Sequence, residues 1–233
     1  MKRYSYHFFL ILLSILFIAD ATASAQQWIR VKWVIDGDTI VLCDGRHIRY
    51  IGINAPEIAH DDAHFIGSRQ KTRNAEPFGD AAKKYNQYLV GSKIIRLAFD
   101  KERHDRYGRW LAYVFLSNGT FVNKAMIEKG YAYVLPRRPN VEYEQILLQS
   151  QRDAMVKKAG LWGQWKEREG EYIGSKKSRR FHLKTCPYGK QIGKRNRILF
   201  KRKWDAFWSG FAPGKRCLGQ SRVQCSEFRV QDF

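Results

Sequence analysis

Between Trp28 and Ile53 the chain turns back on itself twice before any helical spacing begins, and that restricts what it can build. Trp28 to Leu42 is rich in Val, Ile and Trp and is broken by Asp36-Gly37-Asp38. Asp44-Gly45 reads as a tight hairpin turn, because both residues tolerate the backbone such turns demand. His47 to Ile53 alternates apolar with polar residues and reads as a second strand. Asn54-Ala55-Pro56-Glu57 ends it, since proline cannot donate to a ladder.

Helical spacing first appears from Pro77 to Val90, where Phe78, Ala81, Ala82, Tyr85, Tyr88 and Leu89 recur at one face. Lys93 to Phe99 and Leu111 to Leu116 read as strands, and Ser117-Asn118-Gly119-Thr120 as a turn. Val122 to Lys129 reads as a short helix closed by Gly130. Tyr131 to Leu135 reads as a last strand, and Val141 to Lys158 as a long helix before Ala159-Gly160-Leu161-Trp162. His60 to Ala75 is polar without periodicity and reads as a loop. Short strands and then helices, without βαβ alternation, argue for a small β-barrel with packed helices rather than a doubly wound sheet. The count fits a five-stranded Greek-key barrel of the OB type with about three helices, followed by a small α+β C-terminal module.

The ends of the chain carry other messages. Lys2 and Arg3 precede an apolar run from Phe8 to Ile18, and Ala23-Ser24-Ala25 fits a small-x-small cleavage site. Residues 1–25 therefore read as a signal peptide, with an uncleaved anchor as the rival. The run is short of the roughly 20 residues that a membrane span needs. The expected location is exported, periplasmic or secreted, with no stable span after cleavage, and the expected state is a monomer. Residues 26–163 form the expected barrel domain, 164–174 a polar linker and 175–233 a basic module. The formal net charge is +20, and residues from Gly163 onward carry 18 Lys and Arg against 6 Asp and Glu. Such charge points to nucleic acid, anionic lipid or another acidic polymer. Cys43, Cys186, Cys217 and Cys225 permit three pairings, and the sequence does not choose among them.

Three clusters have the composition of a phosphodiester-cleaving site: Asp36-Gly37-Asp38-Thr39, Arg49 with Asn54-Ala55-Pro56-Glu57, and Asp105-Arg106-Tyr107-Gly108-Arg109. A hard cation held by carboxylate and amide oxygens neutralises a phosphate oxygen. A carboxylate orients or deprotonates water. Arginines grip phosphate through paired hydrogen bonds. Asp38, Asn54, Glu57, Arg49 and Arg109 supply those groups. Taken singly, each has a plainer explanation: D-G-D-T as a turn, Arg49 as an edge-strand charge, Asp105 as a cap on the Gly108 turn.

In order, these motifs resemble the staphylococcal nuclease (thermonuclease) family. The likeness runs from Val31 to Trp162 through V-I-D-G-D-T-I at 34–40, R-Y-I-G-I-N-A-P-E at 49–57, E-P-F-G-D-A-A at 76–82, F-D at 99–100, D-R-Y-G-R-W-L-A-Y-V at 105–114 and A-G-L-W at 159–162. The resemblance implies an OB-type barrel and a calcium-dependent nuclease acting on DNA, RNA or both. It implies Asp38 and Asn54 as Ca²⁺ ligands with the Ala55 carbonyl, Glu57 as the residue that orients or activates water, and Arg49 and Arg109 as phosphate contacts. It places Tyr107 near a substrate phosphate. The family usually has aspartate where Asn54 stands, so this site is expected to bind calcium more weakly. The alternative is a nucleic-acid-binding protein of the same fold whose catalysis is impaired. A third class is a cationic binder of cell-envelope polymers.

Tyr172 to Ser178, Phe181-His182-x3-Cys186-Pro187, Ala206 to Gly210 and Gly219 resemble a small Ada-type metal-binding module. Gly214 stands where one ligand is expected. His182, Cys186 and Cys217 remain, one short of a closed zinc shell, and a Cys186–Cys217 disulfide is the competing assignment. The basic and aromatic residues Arg195, Arg197, Phe200, Lys201, Arg202, Lys203, Trp204, Phe207 and Trp208 offer charge and stacking for nucleic acid. Trp204 and Trp208 are expected in this module's core.

Overall fold

The computed structural model describes residues 28–58, 76, 78–167 and 170–214. The expected leader at 1–25, the loop residues His60, His64, Arg69, Lys71 and Arg73, and Cys217, Gly219 and Cys225 lie outside them. No described helix is long and apolar enough to cross a membrane.

The first part runs β1 (Trp28–Val34), β2 (Thr39–Leu42), β3 (His47–Tyr50), β4 (Ile53–Asn54), α1 (Gly79–Val90), β5 (Ile94–Ala98), β6 (Trp110–Leu116), α2 (Val122–Glu128), β7 (Tyr133–Val134) and α3 (Glu144–Val156). Five strands close into a barrel in the order β1-β2-β3-β6-β5. Every neighbouring pair is antiparallel except β3 with β6, where Arg49 lies level with Leu111. Ile40, Leu42, Ile48, Tyr50, Ile95, Ala112 and Val114 fill the interior, and Ala82, Val90, Met126 and Leu147 bring all three helices against it. This is the OB-type barrel with three helices that the sequence pattern predicts.

One difference shapes the site. His47 to Ile53 reads as a single strand, yet β3 stops at Tyr50. Gly52 takes a left-handed φ of 79°, and a Cβ there would meet Leu147 at 2.7 Å. The chain swings outward, and Asn54 pairs with Tyr133 across β4 and β7.

The second part forms its own sheet: β8 (Tyr172–Ser175), β9 (Arg180–Leu183), β10 (Arg197–Phe200) and β11 (Ala212–Pro213), ordered β10-β8-β9-β11. Two short helices, α4 (Pro187–Lys190) and α5 (Lys203–Trp208), complete it. Its first strand begins at Tyr172, inside the stretch expected to be linker. That stretch is also anchored: the Trp165 ring lies 5.6 Å from Trp162 and 5.5 Å from Phe207. Tyr172, Phe181, Phe200, Phe207 and Phe211 share one apolar core with Tyr133, Ala154, Met155 and Trp162 of the first part. Gln151 stitches the seam. Its Oε1 accepts from the Val134 amide at 2.6 Å, and its Nε2 donates to the Phe207 carbonyl at 2.6 Å. Trp204 packs within this core as the sequence suggests. Trp208 does not: it is 38% exposed, and the Arg152 guanidinium sits 5.7 Å from its ring.

A shared core predicts shared melting. Phe207→Ala removes a buried ring that touches both parts and should cost about 3–5 kcal/mol. Thermal unfolding followed by barrel and C-terminal tryptophans should stay a single transition at lower temperature. Two separated transitions would mean that the parts fold independently.

Candidate active site

The site grows from the bend between β1 and β2. Asp36 Oδ1 accepts the Asp38 amide at 2.9 Å, which tightens the turn. Gly37 is required between them, because a Cβ there would lie 2.5 Å from the Ala55 Cβ and 2.8 Å from the Ala82 Cβ. The bend is thereby pressed against both the 54–57 segment and α1. Asn86 of α1 donates to the Asp36 carbonyl at 2.9 Å and accepts from the Tyr50 hydroxyl at 2.9 Å. A buried side-chain amide thus locks the bend to the barrel wall.

Asp38 is buried, and its carboxylate has three partners. Arg49 Nη2 lies 2.9 Å from Oδ2, the Ala55 amide donates to the same oxygen at 2.7 Å, and the Thr39 hydroxyl donates to Oδ1 at 3.1 Å. The Thr39–Arg49 pairing of β2 and β3 sets the arginine beside the carboxylate. Asn54 completes the cluster. Its Oδ1 accepts from Arg49 at 3.2 Å, and its Nδ2 donates to the Ala55 carbonyl at 3.0 Å and the Tyr133 hydroxyl at 3.1 Å.

Glu57 stands at the same mouth, close enough for its charge to act on Asp36 and on Tyr133. Its backbone is clamped by Glu76: the Glu57 amide donates to the Glu76 carboxylate at 3.0 Å, and the Glu76 amide donates back to the Glu57 carbonyl at 2.8 Å. Burial, and next the neighbouring charge of Asp38, pushes the Asp36 carboxyl up to about 7. Burial likewise raises the Tyr133 phenol above its ordinary range, with the charge of Arg180 working against it.

Arg109 is organised differently. It precedes β6 by one residue, and Leu111 lies level with Arg49, so strand alternation puts Arg109 on Arg49's side of the sheet. Its guanidinium is held by Asp105, with Nε at 2.8 Å and Nη2 at 2.7 Å from Oδ2. Asp105 also accepts the Tyr107 and Arg109 amides at 2.9 and 3.0 Å, which makes it the cap of the Gly108 turn. Burial opposes its ionisation, but the Arg109 hydrogen bond and charge outweigh that and hold it below the usual carboxylate range. Tyr107 is 58% exposed, with Arg106 and Arg109 against its ring at 4.7 and 5.7 Å. Asp38, Arg49, Asn54 and Ala55 are thus in direct contact, Glu57 adjoins them, and Arg109 with Tyr107 forms a neighbouring station.

In the second part Cys186 is disulfide-bonded, to a partner outside the described residues. Its sulfur lies 3.9 Å from His182 Nδ1. A disulfide sulfur is not the thiolate that zinc requires. Gly214 packs on the imidazole so closely that a Cβ there would fall 2.1 Å from it. Cys43 is exposed and free.

A closed five-stranded barrel whose mouth sets buried carboxylates against guanidinium groups defines an OB-type protein built to handle phosphate. The comparisons make this specific. The family described as Staphylococcal nuclease homologue matches residues 47–164, and the chain belongs to it. The chain is 32% identical over 147 residues to a protein named Thermonuclease from Staphylococcus hyicus, covering 62% of this chain and 80% of that one. It is 33% identical over 135 residues to Thermonuclease from Staphylococcus intermedius, covering 57% and 74%. It is 33% identical over 133 residues to Endonuclease YncB from Bacillus subtilis (strain 168), covering 55% and 58%.

Sequence reasoning missed Asn86, Glu76, Tyr133 and Arg180. Asn86 carries a signal as a polar residue among the apolar positions of α1, and Glu76 stands first in the E-P-F-G-D-A-A string. Tyr133 and Arg180 act through long-range contacts that no spacing encodes.

The Asp36 carboxyl sets a pH dependence. Its folded value near 7 exceeds its ordinary 3.8, so between those values the folded state holds a proton that the unfolded chain has released. Stability therefore falls as pH rises through that window. In EDTA, Asp36→Asn should be more stable than the parent at pH 8 by at least about 1 kcal/mol, on the order of one pKa unit. The gain should vanish near pH 4. Denaturant melts at both pH values check this, and a pH-independent difference would refute it.

Proposed function

We propose that this chain is a nuclease that hydrolyses phosphodiester bonds of DNA, RNA or both, and that it depends on calcium. The observation that carries the reading is the contact set of Asp38, Arg49, Asn54 and Ala55 with Glu57 beside it. The names of the relatives support it.

The oxygen set suits a hard cation. Among the described residues no three His, Cys, Asp or Glu side chains gather as a metal cluster. The donors are instead a carboxylate, an amide oxygen and a backbone carbonyl, the mixture Ca²⁺ accepts. Burial raises the Asp36 carboxyl first, and the charges of Asp38 and Glu57 add to it; a divalent cation would offset those charges. Asp38, the Asn54 amide oxygen and the Ala55 carbonyl would hold the ion, which supplies Lewis-acid stabilisation of the phosphate when bound. Arg49 and Arg109 grip the phosphate oxygens and stabilise the added charge of the pentacoordinate state. Glu57 orients water and accepts its proton. Tyr107, exposed between two arginines, receives a flanking phosphate or base. We further propose that residues 1–25 are a leader that directs export into the periplasm or the medium, compartments in which the Cys186 disulfide persists. The C-terminal module is proposed as a degenerate Ada-type fold.

Asn54 distinguishes this site. Its amide bonds to Arg49, Ala55 and Tyr133 at once, so a cation must compete for oxygens that already have donors. Digestion of plasmid DNA, of RNA or of both should proceed in Ca²⁺ and stop in EDTA. Glu57→Gln should lower kcat by at least about 100-fold, the scale of general-base assistance. Asn54→Asp should lower the calcium concentration giving half-maximal activity by about tenfold. Nucleic-acid binding without cleavage in saturating calcium would leave only the impaired binding protein; an unchanged calcium requirement in Asn54→Asp would remove the special role of the amide.

A further inference from the structure

Arg180 comes from the second part of the chain, which packs against Tyr133, and its charge reaches the first part's site. Its backbone is fixed on two sides, opposite Ser175 of β8 and level with Ala212 of β11. Phe181, the next residue, is fully buried in the shared core, its ring 5.3 Å from Phe207, which is itself 5.4 Å from Tyr133. Strand alternation keeps Arg180 out of that core. Its side chain is half-buried, and Nη1 donates to the Pro213 carbonyl at 2.7 Å. Besides burial, the groups that act on it electrostatically are the Tyr133 hydroxyl and the Arg49 guanidinium. Both belong to the Asp38 cluster: Arg49 pairs with Asp38, and Tyr133 receives the Asn54 amide.

Among the described residues Arg180 has no carboxylate partner. Two guanidinium groups within electrostatic reach of one another repel, and partial burial increases the cost. A guanidinium carries five N–H donors, and the Pro213 carbonyl takes one. Such a pair is stabilised when a polyanion comes between its members, because each fork fits a phosphate through parallel hydrogen bonds.

We propose that Arg180 is a substrate-binding residue of the nuclease cleft, taking the phosphate next to the one held at Arg49, so that the second module forms one wall of the substrate channel. The proposal rests on the nuclease reading above. Deleting the second module would strip Tyr133, Met155 and Trp162 of their cover, so loss of activity would follow from unfolding alone. A point substitution at Arg180 avoids this.

The full-length protein, Arg180→Gln, Arg180→Met and Arg180→Lys are assayed on two substrates: a diester with a single phosphate and a 12-nucleotide single strand. On the long substrate, Arg180→Gln should raise KM about tenfold and change kcat less than twofold. The slope of log KM against log salt should flatten by somewhat less than one unit, about one lost phosphate contact. KM for the single diester should not move, and Arg180→Lys should recover most of the loss. Arg180→Met keeps the buried stem and serves in place of Gln if that variant melts below assay temperature. A merely structural Arg180 would lower the melting temperature and affect both substrates alike. Equal effects on both substrates, or none on the long one, overturn the proposal. A wild-type protein that cleaves neither substrate overturns the nuclease reading, and this proposal with it.

Discussion

A carboxylate taken out of water at a chain bend must find partners, and the ones Asp38 finds organise everything around it. Arg49, the Ala55 amide and the Thr39 hydroxyl reach it from three different segments. An isolated buried carboxylate would cost many kcal/mol, so no segment can drift without exposing the others to that cost. The barrel closure delivers the first two partners. β2 and β3 pair so that Thr39 faces Arg49, and the turn at Gly52 returns Ala55 to the bend. The acidic centre is thus also a structural centre, tied to α1 through Asn86 and tightened by Asp36.

That double duty leaves a residue of strain in charge rather than in geometry. Asp36 and Asp38 share a bend, and burial together with the charge of Asp38 outweighs the Asp38 amide and Arg49, which is why the Asp36 carboxyl is pushed upward. Protein sites that retain unfavourable local charge are candidates for chemistry. Asn54 moderates this charge. Where a carboxylate would add a third negative group, the amide donates to Ala55 and Tyr133 and accepts from Arg49, satisfying the cluster in the absence of a cation. The amide thus makes the metal-free arrangement self-sufficient.

The sequence made the barrel legible because its signals are local. Asp44-Gly45 and the alternation after it announce a hairpin, and the spacing of Phe78 to Leu89 announces a helix. The site was legible in its residue types for the same reason: D-G-D-T, N-A-P-E and D-R-Y-G-R are contiguous strings. What was hidden is non-local. The Gly52 turn depends on Leu147, nearly a hundred residues on, and so the pairing of Asn54 with Tyr133 has no signature near either residue. Polar composition made 164–174 read as a linker, although Trp165 packs on Trp162 and Phe207, Glu167 accepts the Lys203 and Trp204 amides, and Tyr172 opens β8. One aromatic in a charged stretch carries little weight in a window average and much in a packed core.

The shared core has a consequence for how the site is formed. Tyr133 is 5% exposed, and it is covered by Phe207 and its neighbours from the second module. Burial there raises the phenol, keeps it protonated and fixes its hydroxyl as the partner of the Asn54 amide. Without the module the same tyrosine would face solvent, and its bond to Asn54 would compete with water at a net worth of about 1 kcal/mol. The second module therefore reaches the acidic cluster by two routes, dry packing behind Tyr133 and the charge of Arg180 beside it. Both act on Asn54 and Arg49 rather than on Arg109. The cleft is consequently asymmetric: one guanidinium is embedded in a shared and partly desolvated wall, while the other, tethered by Asp105 beside exposed Tyr107, remains open to incoming substrate.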